Sequence, residues 1–275
     1  MIKSSVTVSL VPSLHGGPWI YWDDITASCH KAADTGFDAV ELFHAAPDAL
    51  SPDALSAALD ETGLDLSAVG TGAGKVLHGL TLIDPDPSVR TEARRFISDM
   101  ITFGSRFKAP AIIGSMQGNV GPDANRDHAL AWLADGLRDL GTKAADAGVH
   151  LIYEPLNRYE TNLFNRQNDA IKFLSGRVEN VVLLCDLFHM NIEEASIGDA
   201  LREAGPSVGY VHFADSNRRP IGFGHTDMTD IVAALEEIHY DGYVSAEAFA
   251  FPDPDTAASQ TIQSFHRWFR ERGQA

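Results

Sequence analysis

Along the chain, short runs rich in β-branched residues alternate with longer stretches whose apolar residues recur at helical spacing, and the alternation continues to the C-terminus. This is the pattern of βα units feeding a parallel sheet. Val6 to Val11 predicts a first strand, followed by a polar, Gly-containing loop with His15, Trp19 and Trp22. A helix through Cys29, Ala32 and Ala33 stops at Gly36. Asp38 to Phe43 is the second strand, with Glu41 near its end, and Ser51-Pro52 opens a helix that closes before Gly63. Leu66 to Val69 is the third strand. Val89, Ala93, Phe96, Ile97, Met100 and Ile101 then make Ser88 to Phe107 a core-facing helix.

Ala111 to Met116 predicts the fourth strand, ending at Gln117 and the loop GNVGPDAN; the helix from Asp127 carries Leu130, Leu133, Leu137 and Leu140 for packing. The fifth strand ends at Glu154. Val181 to Cys185 is the sixth and ends at Asp186, Val208 to Phe213 is the seventh and contains His212, and Tyr243 to Ala246 is the eighth and ends at Glu247. Helices are expected over Asn168 to Leu174, Ile197 to Ala204, Thr229 to Ile238 and Thr256 to Phe269. Eight strands and eight helices in 275 residues predict a single-domain (β/α)₈ TIM barrel over residues 1–275, with its chemistry at the C-terminal strand ends. A doubly wound sheet would want fewer repeats and a single crevice.

Composition narrows the partners. At 44% hydrophobic the chain can bury one large core. Its net charge of -17 and pI near 4.9 argue against nucleic acid, whose phosphates need clustered Lys and Arg. A small-molecule sugar or sugar acid fits better. Cys29 and Cys185 lie in apolar surroundings and read as free thiols of a reducing compartment. The N-terminal apolar run is too short for a signal-peptide core, and no stretch reaches the length needed to span a bilayer. A soluble, cytoplasmic protein with no membrane partner is expected.

The stretch LIYEPLNRYETN, Leu151 to Asn162, places a carboxylate where a buried strand stops. Pro155 keeps Glu154 out of a helix, and the amides and acids that follow crowd the strand mouth, where ligands bind. Asp186, His212 and Glu247 occupy the next three strand ends, each about one βα unit further on. Taken singly, such an acid is a helix cap or loop charge and such a histidine a core residue. Four in register imply a shared ligand, because three converging carboxylates repel unless protons or a cation offset them. Oxygen donors with one imidazole suit one divalent ion, Mn²⁺ first, with Mg²⁺ or Co²⁺ as alternatives. The Gly-rich GTGAGKVLHG lacks the spacing of a phosphate loop and reads as a flexible substrate loop.

YEPLNRYETN, CDLFHMNIEE, VHFADSNRRPIGFGHTD and SAEAF resemble the motifs of the sugar phosphate isomerase/epimerase superfamily with the xylose isomerase-like barrel. Within it, the chain resembles ketose 3-epimerases of the D-tagatose/D-allulose type and, through GTGAGKVLHGLTL and ADSNR, 5-keto-L-gluconate epimerase. The loops SLHGGPWIYW and FHAAPD match less well. The resemblance implies that Glu154, Asp186, His212 and Glu247 bind metal, that Glu154 and Glu247 are the catalytic acid/base pair, and that Glu160, His189 and Arg218 bind substrate. It further implies an epimerase of a non-phosphorylated ketose or keto-sugar acid acting through a cis-enediolate, and a homodimer or homotetramer.

Other outcomes share this equipment. An aldose–ketose isomerase of the hydroxypyruvate isomerase type, or a dehydratase or decarboxylase of keto-sugar acids, would use the same metal and bases. A non-catalytic sugar-binding barrel would not need two opposed carboxylates. Related multi-metal endonucleases take extra His ligands from the third and fourth strand ends, where this chain has Thr71, Gly72, Ser115 and Met116. His15, Lys75 and His78 are candidate contacts for a substrate's far end, and Gln117 stands at a strand mouth with no assigned role.

Overall fold

A computed structural model describes residues 1–22 and 24–271. In chain order it holds β1 (Lys3–Ser9), α1 (Ile25–Thr35), β2 (Ala39–Phe43), α2 (Pro52–Thr62), β3 (Asp65–Gly70), α3 (Ala73–His78), α4 (Pro87–Ser105), β4 (Ala111–Ile113) and α5 (Arg126–Asp146). There follow β5 (Leu151–Tyr153), α6 (Gln167–Leu174), β6 (Val181–Asp186), α7 (Leu187–Glu193), α8 (Ile197–Ala204), β7 (Val208–His212), α9 (Met228–Glu237), β8 (Tyr243–Ala246) and α10 (Pro254–Phe269). Each strand pairs in parallel with the next, and β8 closes onto β1. The result is a single-domain (β/α)₈ barrel. No helix of the described residues is long and apolar enough to cross a membrane.

Local chemistry sets the helix ends. Asp24 accepts hydrogen bonds from the Thr26 and Ala27 amides to start α1, and Gly36, at φ 99°, ends it in the left-handed region. Side chains of Asn125, Asp227 and Asp253 cap α5, α9 and α10 in the same way. Between barrel and helices lies a continuous apolar layer that includes Val6, Val8, Leu42, Ile97, Leu137 and Leu235, all fully buried. Inside the barrel, Ala68, Ile112, Ile152, Leu184 and Tyr210 make an apolar cluster. Beside this cluster the Tyr210 hydroxyl joins a hydrogen-bonded chain of Ser5, Ser67 and Glu41.

Some expected boundaries move. The first strand is Lys3–Ser9 rather than Val6 to Val11, because a 3-10 turn at Pro12–Leu14 takes over, Pro12 having no amide to pair. The fourth stops at Ile113 instead of Met116: Gly114 lies against Glu154, and the chain turns there into a 3-10 segment, Ser115–Gln117. The Gly-rich stretch is not a flexible loop. It contains α3, and Gly74 packs so closely that a Cβ there would sit 2.6 Å from the Met116 side chain. With α3 and α7, the described residues hold ten α-helices where the pattern predicted eight.

Candidate active site

Strand register delivers the four expected donors to one place. The β6/β7 pairing sets Asp186 beside His212, and the β7/β8 pairing sets His212 beside Ser245, two residues before Glu247. Glu154 follows the Ile113–Tyr153 pair at the end of β5, and its amide donates to the Ile113 carbonyl at 3.0 Å. Gln117 secures it from the side. Its Nε2 donates to the Glu154 carbonyl at 2.9 Å, while its Oε1 accepts from the Tyr153 hydroxyl at 2.6 Å. Asp186 caps α7: Oδ1 accepts from the Phe188 and His189 amides, and Oδ2 is left to face the cluster.

One donor atom from each of Glu154, Asp186, His212 and Glu247 lies within 4.8 Å of every other. His212 Nδ1 is 3.3 Å from Asp186, 3.5 Å from Glu154 and 3.6 Å from Glu247. Oxygens bound about 2.1 Å from a single ion can be at most about 4.2 Å apart, so a small contraction would close the set around one cation. Buried Glu154 Oε1 has no hydrogen-bond donor among the described residues, which suits an oxygen that would ligate a cation. The residues fit a divalent ion.

Electrostatics in the ion-free protein agree. Burial, then the Glu154 and Asp186 charges, push the Glu247 carboxyl up to about 7, against the pull of His212 and Arg218. For Asp186, burial works upward but His189, His212 and Arg218 hold the carboxyl well below its ordinary range. Burial opposes the His212 imidazolium, yet Glu41, Glu247 and Asp186 raise its pKa well above the usual value. A cation would replace the protons that now offset this charge.

The remaining expected residues surround this cluster. Arg218 donates to Glu247 Oε2 at 2.6 Å and to Glu160 Oε1 at 3.4 Å, and its guanidinium lies over the Phe188 ring. It adopts a left-handed backbone, φ 58°, inside a loop gathered by Asp215, whose carboxylate accepts from the amides of Ser216, Gly222, Gly224 and Thr226. His189 is buried behind the cluster, with Nε2 3.6 Å from Asp186 and 3.8 Å from Glu154 and Nδ1 2.7 Å from the Asn157 amide.

A cavity of about 200 Å³ opens on these groups. Glu41, Glu154, Glu160, His212, Arg218 and Glu247 form its polar side, whereas Trp19, Phe43, Val76 and Leu156 supply an apolar wall. At the third and fourth strand ends the wall is Thr71, Gly72 and Ser115, so no imidazole or carboxylate extends the cluster there. His189, His15, Lys75 and His78 are not among the lining residues. His15 instead stacks on Trp22, and His78 borders a separate depression with Asp48, Arg95 and Asp99.

Pattern reading missed the supporting residues. Glu41 was visible as an ionisable side chain in DAVELF, a strand whose observed residues are all buried. Gln117 stood at a strand mouth without a role because its partner, the Glu154 carbonyl, comes from another strand, and Asp215 gave no signal because it gathers amides of its own aperiodic loop.

The sequence profile of a family described as xylose isomerase-like TIM barrel matches residues 29–272. The chain belongs to this family. Among xylose isomerase-like barrels it is 31% identical over 251 residues to a D-psicose 3-epimerase of Ruminiclostridium cellulolyticum, covering 86% of this chain and 83% of that one. A 3-dehydro-D-guloside 4-epimerase of Escherichia coli is 35% identical over 116 residues, 42% of this chain and 44% of its own. The crystal structure of a Methylomonas sp. D-allulose 3-epimerase in complex with D-allulose superposes with a TM-score of 0.82 at 20% identity, covering 98% of this chain and 97% of that one, and shows the shared fold.

Proposed function

We propose that this chain is a divalent-metal-dependent epimerase that inverts the carbon beside the carbonyl of a free, non-phosphorylated sugar. The observation that carries this reading is the convergence of four donor atoms within 4.8 Å, three of them from residues that line one cavity, including the carboxylates Glu154 and Glu247. Glu154, Asp186, His212 and Glu247 would hold the ion, Mn²⁺ ahead of Mg²⁺ or Co²⁺. Such an ion polarises a carbonyl and its neighbouring hydroxyl and offsets the negative charge that builds when the carbon between them loses its proton.

Inversion requires removal of a proton from one face of a carbon and delivery to the other. Glu154 and Glu247 follow β5 and β8, which have two strands between them, so they approach the barrel axis from different sides. One takes the proton and the other returns it. Without the ion, burial pushes the Glu247 carboxyl up to about 7, so below that pH it carries a proton that the ion must displace. Arg218 orients Glu247 through its 2.6 Å contact and, with Glu160, faces the substrate hydroxyls, while His189, outside the cavity wall, backs Asp186 and Glu154. Trp19, Phe43 and Leu156 keep water from the reacting carbon.

The cavity favours an uncharged ketose over a keto-sugar acid. Arg218 is the one Lys or Arg among its lining residues, and Glu247 and Glu160 already share its charge. A volume of about 200 Å³ is below the roughly 300–1,000 Å³ of sites for drug-sized ligands and suits a single sugar unit. Similarity to a D-psicose 3-epimerase over 86% of the chain supports the same class. Cytoplasmic residence and assembly as a homodimer or homotetramer complete the proposal; exposed Tyr159, Phe249 and Phe251 offer apolar surface for association.

Proton NMR in D₂O, with Mg²⁺-loaded protein and a panel of ketoses and keto-sugar acids, tests this. Deuterium at the carbon beside the carbonyl together with a new epimer is the expected result. Exchange that yields an aldose, or loss of water or CO₂, would assign an isomerase or lyase instead.

A further inference from the structure

Against the Nε2 edge of His212, away from the three carboxylates on Nδ1, lies a buried acid that also lines the cavity and that the proposed reaction does not use. Glu41 is 4% exposed and sits in the middle of β2, where every residue is buried. Its Oε1 is 3.3 Å from His212 Nε2, and its Oε2 accepts from the Tyr210 hydroxyl at 3.0 Å. Tyr210 in turn lies 2.7 Å from Ser67 Oγ, which is 2.7 Å from Ser5 Oγ and 3.1 Å from the Val40 carbonyl. The pairing of β2 with β3 shifts register at Val40/Glu41.

A buried carboxylate is costly unless its partners are held in place. Here one oxygen is served by tyrosine and the other is directed at a ring nitrogen. The Nε2–Glu41 contact is oblique, and among the described residues no straighter hydrogen bond serves that nitrogen. An imidazole can offer a lone pair from one nitrogen only while the other carries the proton, and the partner of the second nitrogen sets which is which.

We propose that Glu41, braced by Tyr210 and Ser67, is a positioning residue that holds the proton of His212 on Nε2 and so turns the Nδ1 lone pair towards Glu154, Asp186 and Glu247. The proposal rests on the metal-site reading above. Glu41 acts from the opposite side of the ring and donates nothing to the ion. Its effect is to fix the ring orientation of His212 and, when a cation takes the place of the Nδ1 proton, to keep the remaining proton on Nε2. The rigid chain through Tyr210 and Ser67 explains why a carboxylate is tolerated inside the barrel, since it anchors Glu41 to the strands rather than to solvent.

The test is the affinity of the protein for Mn²⁺ alone, read from the electron paramagnetic resonance signal of the free ion, in wild type, E41Q, E41L and Y210F. E41L, which removes the acceptor, is expected to weaken Mn²⁺ binding about 10–100-fold. E41Q keeps an acceptor oxygen and is expected to restore affinity to within a few-fold of wild type, a rescue that a merely structural role would not give. If E41L does not fold, Y210F, expected to weaken binding several-fold, carries the same comparison. In ¹⁵N NMR of the Mg²⁺-loaded wild type, His212 should carry its proton on Nε2. Unchanged affinity in E41L, equal losses in E41Q and E41L, or a proton on Nδ1 would overturn the role of Glu41 while leaving the metal site intact. Failure of wild type to bind Mn²⁺ would overturn the metal reading, and this proposal with it.

Discussion

Gly114 offers the sharpest test of how the site is built, because it bears no functional group. It follows β4, and a Cβ placed on it would lie 2.4 Å from Glu154 Oε2 and 3.6 Å from the carboxyl carbon. Ordinary contact needs about 1 Å more, so Gly114→Ala must displace the Glu154 carboxylate by about that distance. The next nearest atom, Leu156 Cδ2 at 3.9 Å, is at ordinary contact distance, so the fold should lose no more than about 1–2 kcal/mol. Metal-ligand distances tolerate only about 0.2 Å, and a shift of about 1 Å at a reacting group costs on the order of 100-fold. Gly114→Ala is therefore expected to lower kcat/KM about 100-fold and Mn²⁺ affinity at least about 10-fold, with a near-wild-type urea transition. Gly121, around which a Cβ would meet nothing within 4 Å, is the control position for the same substitution. Wild-type turnover and Mn²⁺ affinity in Gly114→Ala would refute the placement of Glu154 in the reacting cluster.

Glu154→Gln and Glu247→Gln should each reduce turnover by about 10²–10⁴-fold, with bound metal assayed alongside so that loss of a base is separated from loss of the ion. Because the Glu247 pKa in the ion-free fold is raised to about 7, Mn²⁺ must displace a proton below that pH, and affinity should fall as pH drops from 8 to 6, measured by titration. The same shift predicts that the folded ion-free protein binds a proton that the unfolded chain has released above its ordinary 4.5. The contribution of Glu247 to stability is therefore fully present below that value and is lost as pH rises through 7; a wild-type-minus-Glu247→Gln difference in Tm that stays constant across this window would contradict it. Asp215→Ala removes one carboxylate from four amides and should cost about 3 kcal/mol in urea unfolding while raising KM, since the loop it gathers carries Arg218; an unchanged KM would place Arg218 outside substrate binding.

Much of this was legible in one dimension. Strand and helix periods are local properties, and the acids at the ends of β5, β6 and β8 interrupt apolar runs at the one place in a βα barrel where side chains meet a ligand. Closure of the barrel then converts equal spacing along the chain into convergence in space, so the donor set of Glu154, Asp186, His212 and Glu247 followed from the pattern and is found within 4.8 Å. What failed were the short elements: α3 and α7 are too short to show a period, and β4 ends early because Gly114 meets Glu154, a residue 40 positions later in the chain.

The sequence by itself determined the architecture and the chemistry of the donors, because both depend on residue type and period. Only the tertiary structure decided which groups support them. Glu41 beside His212 and Gln117 against the Glu154 backbone act through contacts between distant segments, and Asp215 gathers the amides of its own aperiodic loop around Arg218; no local period encodes such contacts. The structure likewise decided that His15, Lys75 and His78 stay out of the cavity wall, because the direction of a loop side chain is set by the packing of the loop rather than by its composition.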